Sequence, residues 1–217
     1  MRIALLGATG FVGSAILNEA LDRGHRVTAI VRHPEKLPKR DKISAMAGDV
    51  FDVAQLAEAL QGHEAIISAF NPGWKNLYED QVRGTESIIA ALVSAGIKRV
   101  LWVGGAGGLE VSPGVKVIDA PDFPNWVKPG SLATMDALEQ LRQHPELDWS
   151  FLAPSAQLEP GERTGAFRLG TDRLLADAKG QSKISVQDFA VAMINELEDP
   201  QHVRQGSQRA TDLRLPS

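Results

Sequence analysis

Three glycines spaced three apart, Gly7, Gly10 and Gly13 in GATGFVG, are the first residues whose types and spacing could do chemistry. They follow a short apolar run, Ile3 to Leu6, and open a stretch whose apolar residues recur at helical spacing. A glycine-rich turn between a strand and a helix is where backbone cradles phosphate. Each glycine then has its own task. Gly7 leaves the strand through a tight turn, Gly10 lets backbone approach phosphate oxygens, and Gly13 lets the helix sit close on the sheet. The amides of the first helical turn face a pyrophosphate in this reading; the alternative is a tight turn with no ligand. The spacing is G-x-x-G-x-x-G, not the commoner G-x-G-x-x-G, so the flanking strand and helix carry the inference.

Nineteen positions after Gly13, at the end of a second apolar run from Arg26 to Val31, that fingerprint places an acidic residue for the 2′-hydroxyl of NAD. Here Arg32 stands instead. Its planar fork of donors suits a 2′-phosphate, which predicts NADP(H) in preference to NAD(H); otherwise it is an exposed arginine ending a strand. Lys36, Lys39 and Arg40 either add to the same field or are simply solvated. Four aromatic residues, Phe70, Trp74, Phe123 and Trp126, sit in Pro/Gly-rich loops after apolar runs. They could wall a planar substrate or pack on a sheet. Glu159, Glu162 and Arg163 form either substrate contacts or a charged turn. No His/Asp/Glu spacing suggests a metal, His63 and His144 read as surface residues, and Ser155 has no assignable base.

Short apolar runs at Ile3–Leu6, Arg26–Val31, Ile43–Ala47, Ala65–Phe70, Arg99–Val103 and Trp149–Ala153 must position these groups. Those around Ile3, Ala65 and Arg99 are nearly continuous in apolar residues, as strands covered on both faces are. Between them the periodicity predicts helices over Phe11–Arg23, from Asp52 as cap to Gly62, over Asn76–Ala95 stopped by Gly96, and over Leu132–Gln143 before Pro145. Strict alternation of strand and helix predicts an α/β fold, a Rossmann-like, doubly wound and mostly parallel sheet. After Pro154 the pattern changes. A hairpin is expected from Ala166–Leu169 and Leu174–Asp177, then a last helix capped by Ser185. The reading is one domain, with residues 1–153 as cofactor-binding core and 154–217 as a small substrate lid. With 217 residues, 43% of them hydrophobic, the chain can bury roughly 70% of its unfolded surface.

A net charge of −4 gives no footprint for nucleic acid, and no apolar run nears the ~20 residues that span a bilayer. Without cysteine there is no disulfide or thiolate chemistry, and a run that stops at Gly7 leaves no room for a signal peptide, so a cytoplasmic home is expected. Oligomeric state stays open.

GATGFVG, the GDV at Gly48–Val50, the SAF at Ser68–Phe70 and GIKRVLWVGGAG at Gly96–Gly107 resemble the atypical short-chain dehydrogenase/reductases. The nearest likeness is to the NAD(P)H-binding proteins labelled NADH-flavin reductases or epimerases, which are NmrA-like and related to biliverdin reductase B. AFNPGW, GGAGGLEV, PGERTGAFRLG and ISVQDFAVAMINELE extend the resemblance over nearly the whole chain. Only Gly206–Ser217 departs, being polar and lacking the apolar final strand of such proteins. The resemblance implies that Thr9, Gly10, Phe11 and Val12 cradle phosphate and that Arg32 meets the adenosine ribose. It also implies that Asp49 and Val50 flank the adenine, and that Ser68, Ala69 and Phe70 line the nicotinamide side. Asp49 also reads as a turn cap and Phe70 as core.

The departures bear on chemistry. Short-chain dehydrogenases that oxidise alcohols, and the epimerases built on them, use a Tyr-x-x-x-Lys pair for proton transfer. The only tyrosine here is Tyr78, followed four residues later by Val82. The helix that should carry the pair reads SLATMDALEQL, with neither residue, and Gly104-Gly105 occupy the usual serine position. Proton-coupled epimerisation of sugar nucleotides is therefore disfavoured. Two readings remain: an NADPH-dependent reductase handing hydride to a flavin-like small molecule, or a redox sensor that binds the dinucleotide without catalysis. No catalytic side chain is assigned.

Overall fold

In the computed structural model, which describes residues 1–204 and 211–213, the apolar runs become a six-stranded sheet. In chain order the elements are β1 (Arg2–Leu6), α1 (Phe11–Asp22), β2 (Arg26–Val31), β3 (Ile43–Ala47), α2 (Val53–Leu60), β4 (Ala65–Ser68), α3 (Leu77–Ala95) and β5 (Arg99–Val103). Then come β6 (Glu110–Ser112), β7 (Val115–Lys116), α4 (Lys128–Arg142), β8 (Asp148–Leu152), β9 (Gln157–Glu159), β10 (Phe167–Leu169), β11 (Lys183–Ser185), α5 (Val186–Glu198) and β12 (Thr211–Leu213). The large sheet runs β3-β2-β1-β4-β5-β8, and every pairing in it is parallel. The strand order reverses direction between β1 and β4, the switch point where doubly wound sheets open a crevice at their carboxyl ends.

Alternate residues of the central strands feed two cores, because strand side chains point to opposite faces. Ile3, Leu5, Val27, Ala29, Ile67 and Leu101 pack under α1 and α5, against Ile16, Leu17, Phe189 and Met193. Ala4, Leu6, Ile66, Val100 and Trp102 pack under α2, α3 and α4, against Leu60, Ile88, Leu92 and Leu141. Burial on both faces explains why β1 and β4 read as unbroken apolar runs. Local signals set the helix ends. The Asp52 carboxylate accepts from the Gln55 amide at 3.0 Å and the Ser185 hydroxyl from the Asp188 amide at 3.0 Å, while Gly96 closes α3 in the left-handed region at φ 69°.

The structure corrects three expectations. First, α4 begins at Lys128, not Leu132, since Pro129 in the first turn suits a helix start. Second, Ala166–Leu169 and Leu174–Asp177 do not pair as a hairpin. Phe167–Leu169 pairs antiparallel with Thr211–Leu213, while the following chain is drawn to β6: the Glu110 amide donates to the Asp172 carbonyl at 2.8 Å, and the Leu174 amide to the Glu110 carbonyl at 2.9 Å. Third, the polar tail does form a short strand, because pairing with β10 satisfies its backbone whatever its side chains. The rest of Gly206–Ser217, which includes 206–210 and 214–217, lies outside the described residues.

Candidate cofactor site

The turn between β1 and α1 separates the roles of its glycines. Gly7 has φ +78°, and a Cβ there would lie 2.2 Å from the Ala69 carbonyl oxygen; one at Gly13 would lie 2.1 Å from the Gly7 carbonyl oxygen. Both positions are glycine because the chain's own backbone fills the space. Gly10 differs. Its φ of −79° and ψ of 172° suit any residue, and a Cβ would meet only the Gly7 carbonyl, at 3.3 Å. The fold uses Gly10 little, so the space before it is left for something else. Gly10 is also the N-cap of α1 and has no capping side chain, which leaves first-turn amides as donors beside that space.

A cavity of about 350 Å³ opens there, within the range of small-molecule sites. Of the residues singled out in the sequence, Gly7, Thr9, Gly10, Arg32, Asp49, Val50, Ala69 and Phe70 line it. Arg32 is exposed and has no ion-pair partner among the described residues. Lys36 also lines the cavity, whereas Arg40 is drawn away to Asp22 at 2.6 Å and to Asn18. Asp49 forms a turn: its carboxylate accepts from the Phe51 amide at 3.0 Å, and its own amide donates to Gln55. Phe70 lies flush on Gly84 of α3 and meets Phe51 edge-on at 6.1 Å. Phe11 and Val12 open α1 behind the turn and do not line the cavity with their side chains. Ser68 is buried, and its hydroxyl has no hydrogen-bond partner among the described residues. Spacing did not single out Phe51, Asn71 or Asp80, which line the cavity too. Phe51 directly follows Asp49-Val50, the one signal that could have found it.

The other candidates lie elsewhere. Trp74 and Trp126, from the chain after β4 and before α4, stack on each other at 5.5 Å and 55°, and both are largely exposed. Phe123 is half-buried beside them in sequence. Glu159 is paired with Lys183 across the β9–β11 ladder. Arg163 grips Glu19 of α1 through two hydrogen bonds of 2.7 and 2.8 Å. The Arg163 guanidinium, helped by Arg23, holds the buried Glu19 carboxyl below its ordinary range although burial opposes this. Both charged side chains are therefore committed to ion pairs within the protein.

Where a Tyr/Lys pair would stand, the early start of α4 brings in Lys128, but the residue four before it is Pro124. Tyr78 comes from α3 and donates to Asp136 of α4 at 2.5 Å, and that bond to a carboxylate, with its negative charge, pushes the phenol above its ordinary value. A Cβ at Gly105 would lie 2.9 Å from the Thr134 hydroxyl, so α4 packs directly on the backbone that follows β5. Among the described residues no cluster of three His, Asp or Glu could hold a metal. No helix of the described residues is long and apolar enough to cross a membrane.

A glycine turn whose middle glycine is the least constrained by packing, uncapped helix amides, and an arginine without an ion-pair partner among the described residues at the same cavity together fit a dinucleotide. The family model for NAD(P)H-binding proteins matches residues 7–200. This chain belongs to that NAD(P)H-binding family. Within it, the uncharacterized protein YwnB of Bacillus subtilis is 38% identical over 207 residues, 93% of this chain and 94% of that one. Among solved structures, a “putative epimerase” from Bacteroides thetaiotaomicron superposes with a TM-score of 0.92 at 41% identity, covering 100% of this chain and 98% of that one. A “putative NADH-flavin reductase” from Streptococcus pneumoniae gives 0.87 at 33%, covering 99% and 100%. The chain is an atypical short-chain dehydrogenase/reductase-like Rossmann protein, as its motifs imply.

Proposed function

We propose that this member of the family is an NADPH-dependent reductase that delivers hydride to a flavin or similarly conjugated small molecule without a side-chain proton donor. The observation that carries the proposal is the state of the two halves of the site. The cofactor half has its phosphate cradle and an unpaired Arg32, while α4 holds no tyrosine. When bound, the reduced nicotinamide supplies the hydride, and solvent supplies any proton the acceptor takes up. The protein's part is then orientation. Arg32 grips the 2′-phosphate, the amides at Gly10 to Val12 hold the pyrophosphate, Asp49 and Val50 border the adenine, and Ala69 and Phe70 support the nicotinamide side with Ser68 beneath them. Trp74, Trp126 and Phe123 cover the plane of the acceptor, and the region from residue 154 onward closes over it as the lid.

The name of the Streptococcus pneumoniae relative supports a flavin as acceptor class. Epimerisation, which the Bacteroides thetaiotaomicron relative's name suggests, uses in related enzymes a Tyr-x-x-x-Lys pair that α4 does not carry. The deciding experiment follows NADPH absorbance while riboflavin, FMN and soluble quinones are offered in turn. Consumption of NADPH with at least one of them is expected. Tight NADPH and NADP⁺ binding with no consumption by any acceptor overturns the reductase and makes the protein a sensor, as NmrA-like resemblance allows.

A further inference from the structure

Resting on the dinucleotide reading of the cavity, we infer that the Asp80 carboxylate accepts a hydrogen bond from a ribose hydroxyl of the cofactor, a contact common to NADH and NADPH. Asp80 lies in the first turn of α3 and lines the cavity together with Phe70, Asn71 and Pro72. Its neighbour Glu79 is exposed and does not line it, so favourable charge at a helix N-terminus does not account for both residues.

Two carboxylates border this cavity, and they differ in what they have left to give. Asp49 already caps its own turn through the Phe51 amide. The Asp80 carboxylate has one side-chain partner among the described residues, Arg83 at 3.2 Å. Arg83 also lies over the ring of Phe51, a residue that lines the cavity, 4.0 Å from its centroid. A carboxylate offers about four acceptor positions, so Asp80, which lines the cavity, keeps most of its acceptor capacity free.

The chemistry of the ligand selects the contact. Phosphate oxygens are repelled by a carboxylate, and the cavity already has cations and amides for them at Arg32, Lys36 and Gly10. What remains in a dinucleotide for an acceptor-only group is an N–H or O–H donor. The two riboses flank the pyrophosphate, whereas the bases extend to the ends. Asp80 lines the cavity with Phe70, Asn71 and Pro72 of the chain after β4, and its partner Arg83 lies over Phe51, next to Asp49 and Val50, so it stands between the residues read as the nicotinamide side and those read as the adenine side. A ribose diol is the donor nearest such a position.

Titration calorimetry of the full chain and its Asp80→Ala and Asp80→Asn variants, each with NADPH and separately with NADH, tests this. The side chain is about one-third exposed, so both variants are expected to fold, and thermal unfolding checks it. Asp80→Ala should weaken both cofactors by the same factor, about tenfold, while Asp80→Asn, whose amide oxygen still accepts, stays within about threefold of wild type. Unchanged affinity in Asp80→Ala overturns the inference. So does tighter binding, which would mean that Asp80 only repels phosphate, or a loss confined to NADPH. If the wild-type protein binds neither cofactor, the dinucleotide reading itself fails, a result distinct from a silent Asp80.

Discussion

Gly10 and Gly13 stand in one turn, yet a side chain does different damage at each. At Gly13 a Cβ collides with backbone at 2.1 Å, so Gly13→Ala should cost several kcal/mol and lower Tm sharply. At Gly10 it meets one carbonyl at 3.3 Å, so Gly10→Val should melt within a few degrees of wild type but lose dinucleotide binding. A folded Gly10→Val with wild-type affinity would remove phosphate from the cavity's account. In the proposed reading Arg32 meets one atom group only, the 2′-phosphate. Losing that charge-assisted contact in Arg32→Ala should cost NADPH about 1.5–3 kcal/mol, or roughly ten- to hundredfold in affinity, and leave NADH unchanged. Arg32→Asp should invert the preference. Equal wild-type affinities for NADH and NADPH would mark Arg32 as an ordinary surface residue. Tyr78 is the remaining polar side chain that tempts a catalytic reading, but its proton is held by Asp136. Tyr78→Phe should keep flavin reduction within about twofold, since loss of a true general acid costs about 10² or more. Single-turnover reduction with NADPH deuterated at the transferred position should show a primary isotope effect in both proteins. A folded but inactive Tyr78→Phe would reinstate side-chain proton transfer.

Between elements, one ion pair ties the turn at 160–165 to α1. Glu19 is 4% exposed and receives both Arg163 and Arg23. The same turn is stitched to α5: Asp188 accepts from the Thr164 and Gly165 amides at 2.8 Å each, and the Ser185 hydroxyl donates to the Glu162 carbonyl. Arg163→Ala should destabilise the protein by about 1–2 kcal/mol at neutral pH, a figure kept low because Arg163 is half exposed. The sign of its pH dependence follows from the direction at Glu19. A carboxyl lowered in the folded state stabilises above its ordinary value of 4.5, and that contribution vanishes as pH falls through the lower folded value. The stability gap between wild type and Arg163→Ala should therefore be full at pH 7 and close in acid, as urea unfolding at a series of pH values will show. A gap independent of pH would mean that Arg163 contributes by packing alone. Helix ends such as Asp52, Ser185 and Gly96 were legible because caps obey rules confined to a few residues. The partner of β10 was not, since Thr211–Leu213 lies some forty residues on and pairs through backbone, which carries no sequence signal.

Across the whole molecule, the six-stranded parallel sheet could be read from alternating apolar runs, because its inner strands β1, β4 and β5 are buried on two faces and have to be apolar on both, whereas the edge strand β3 is largely exposed. The glycine turn and Arg32 were legible for a related reason: their spacing is local and tied to one strand–helix unit. Asp80 and Phe51 escaped, since only the packing of α2 against α3 brings the chain after β3 beside the chain after β4. Among the described residues, all the lining of the candidate cofactor cavity comes from residues 7 to 80. No described residue of α4, α5 or the strands beyond β5 lines it. In the proposed reading, mutational drift in the later half of the chain thus alters which oxidant is served while the redox currency stays fixed. A chimera that keeps the first half and exchanges the second with a relative should inherit its cofactor from one parent and its acceptor from the other.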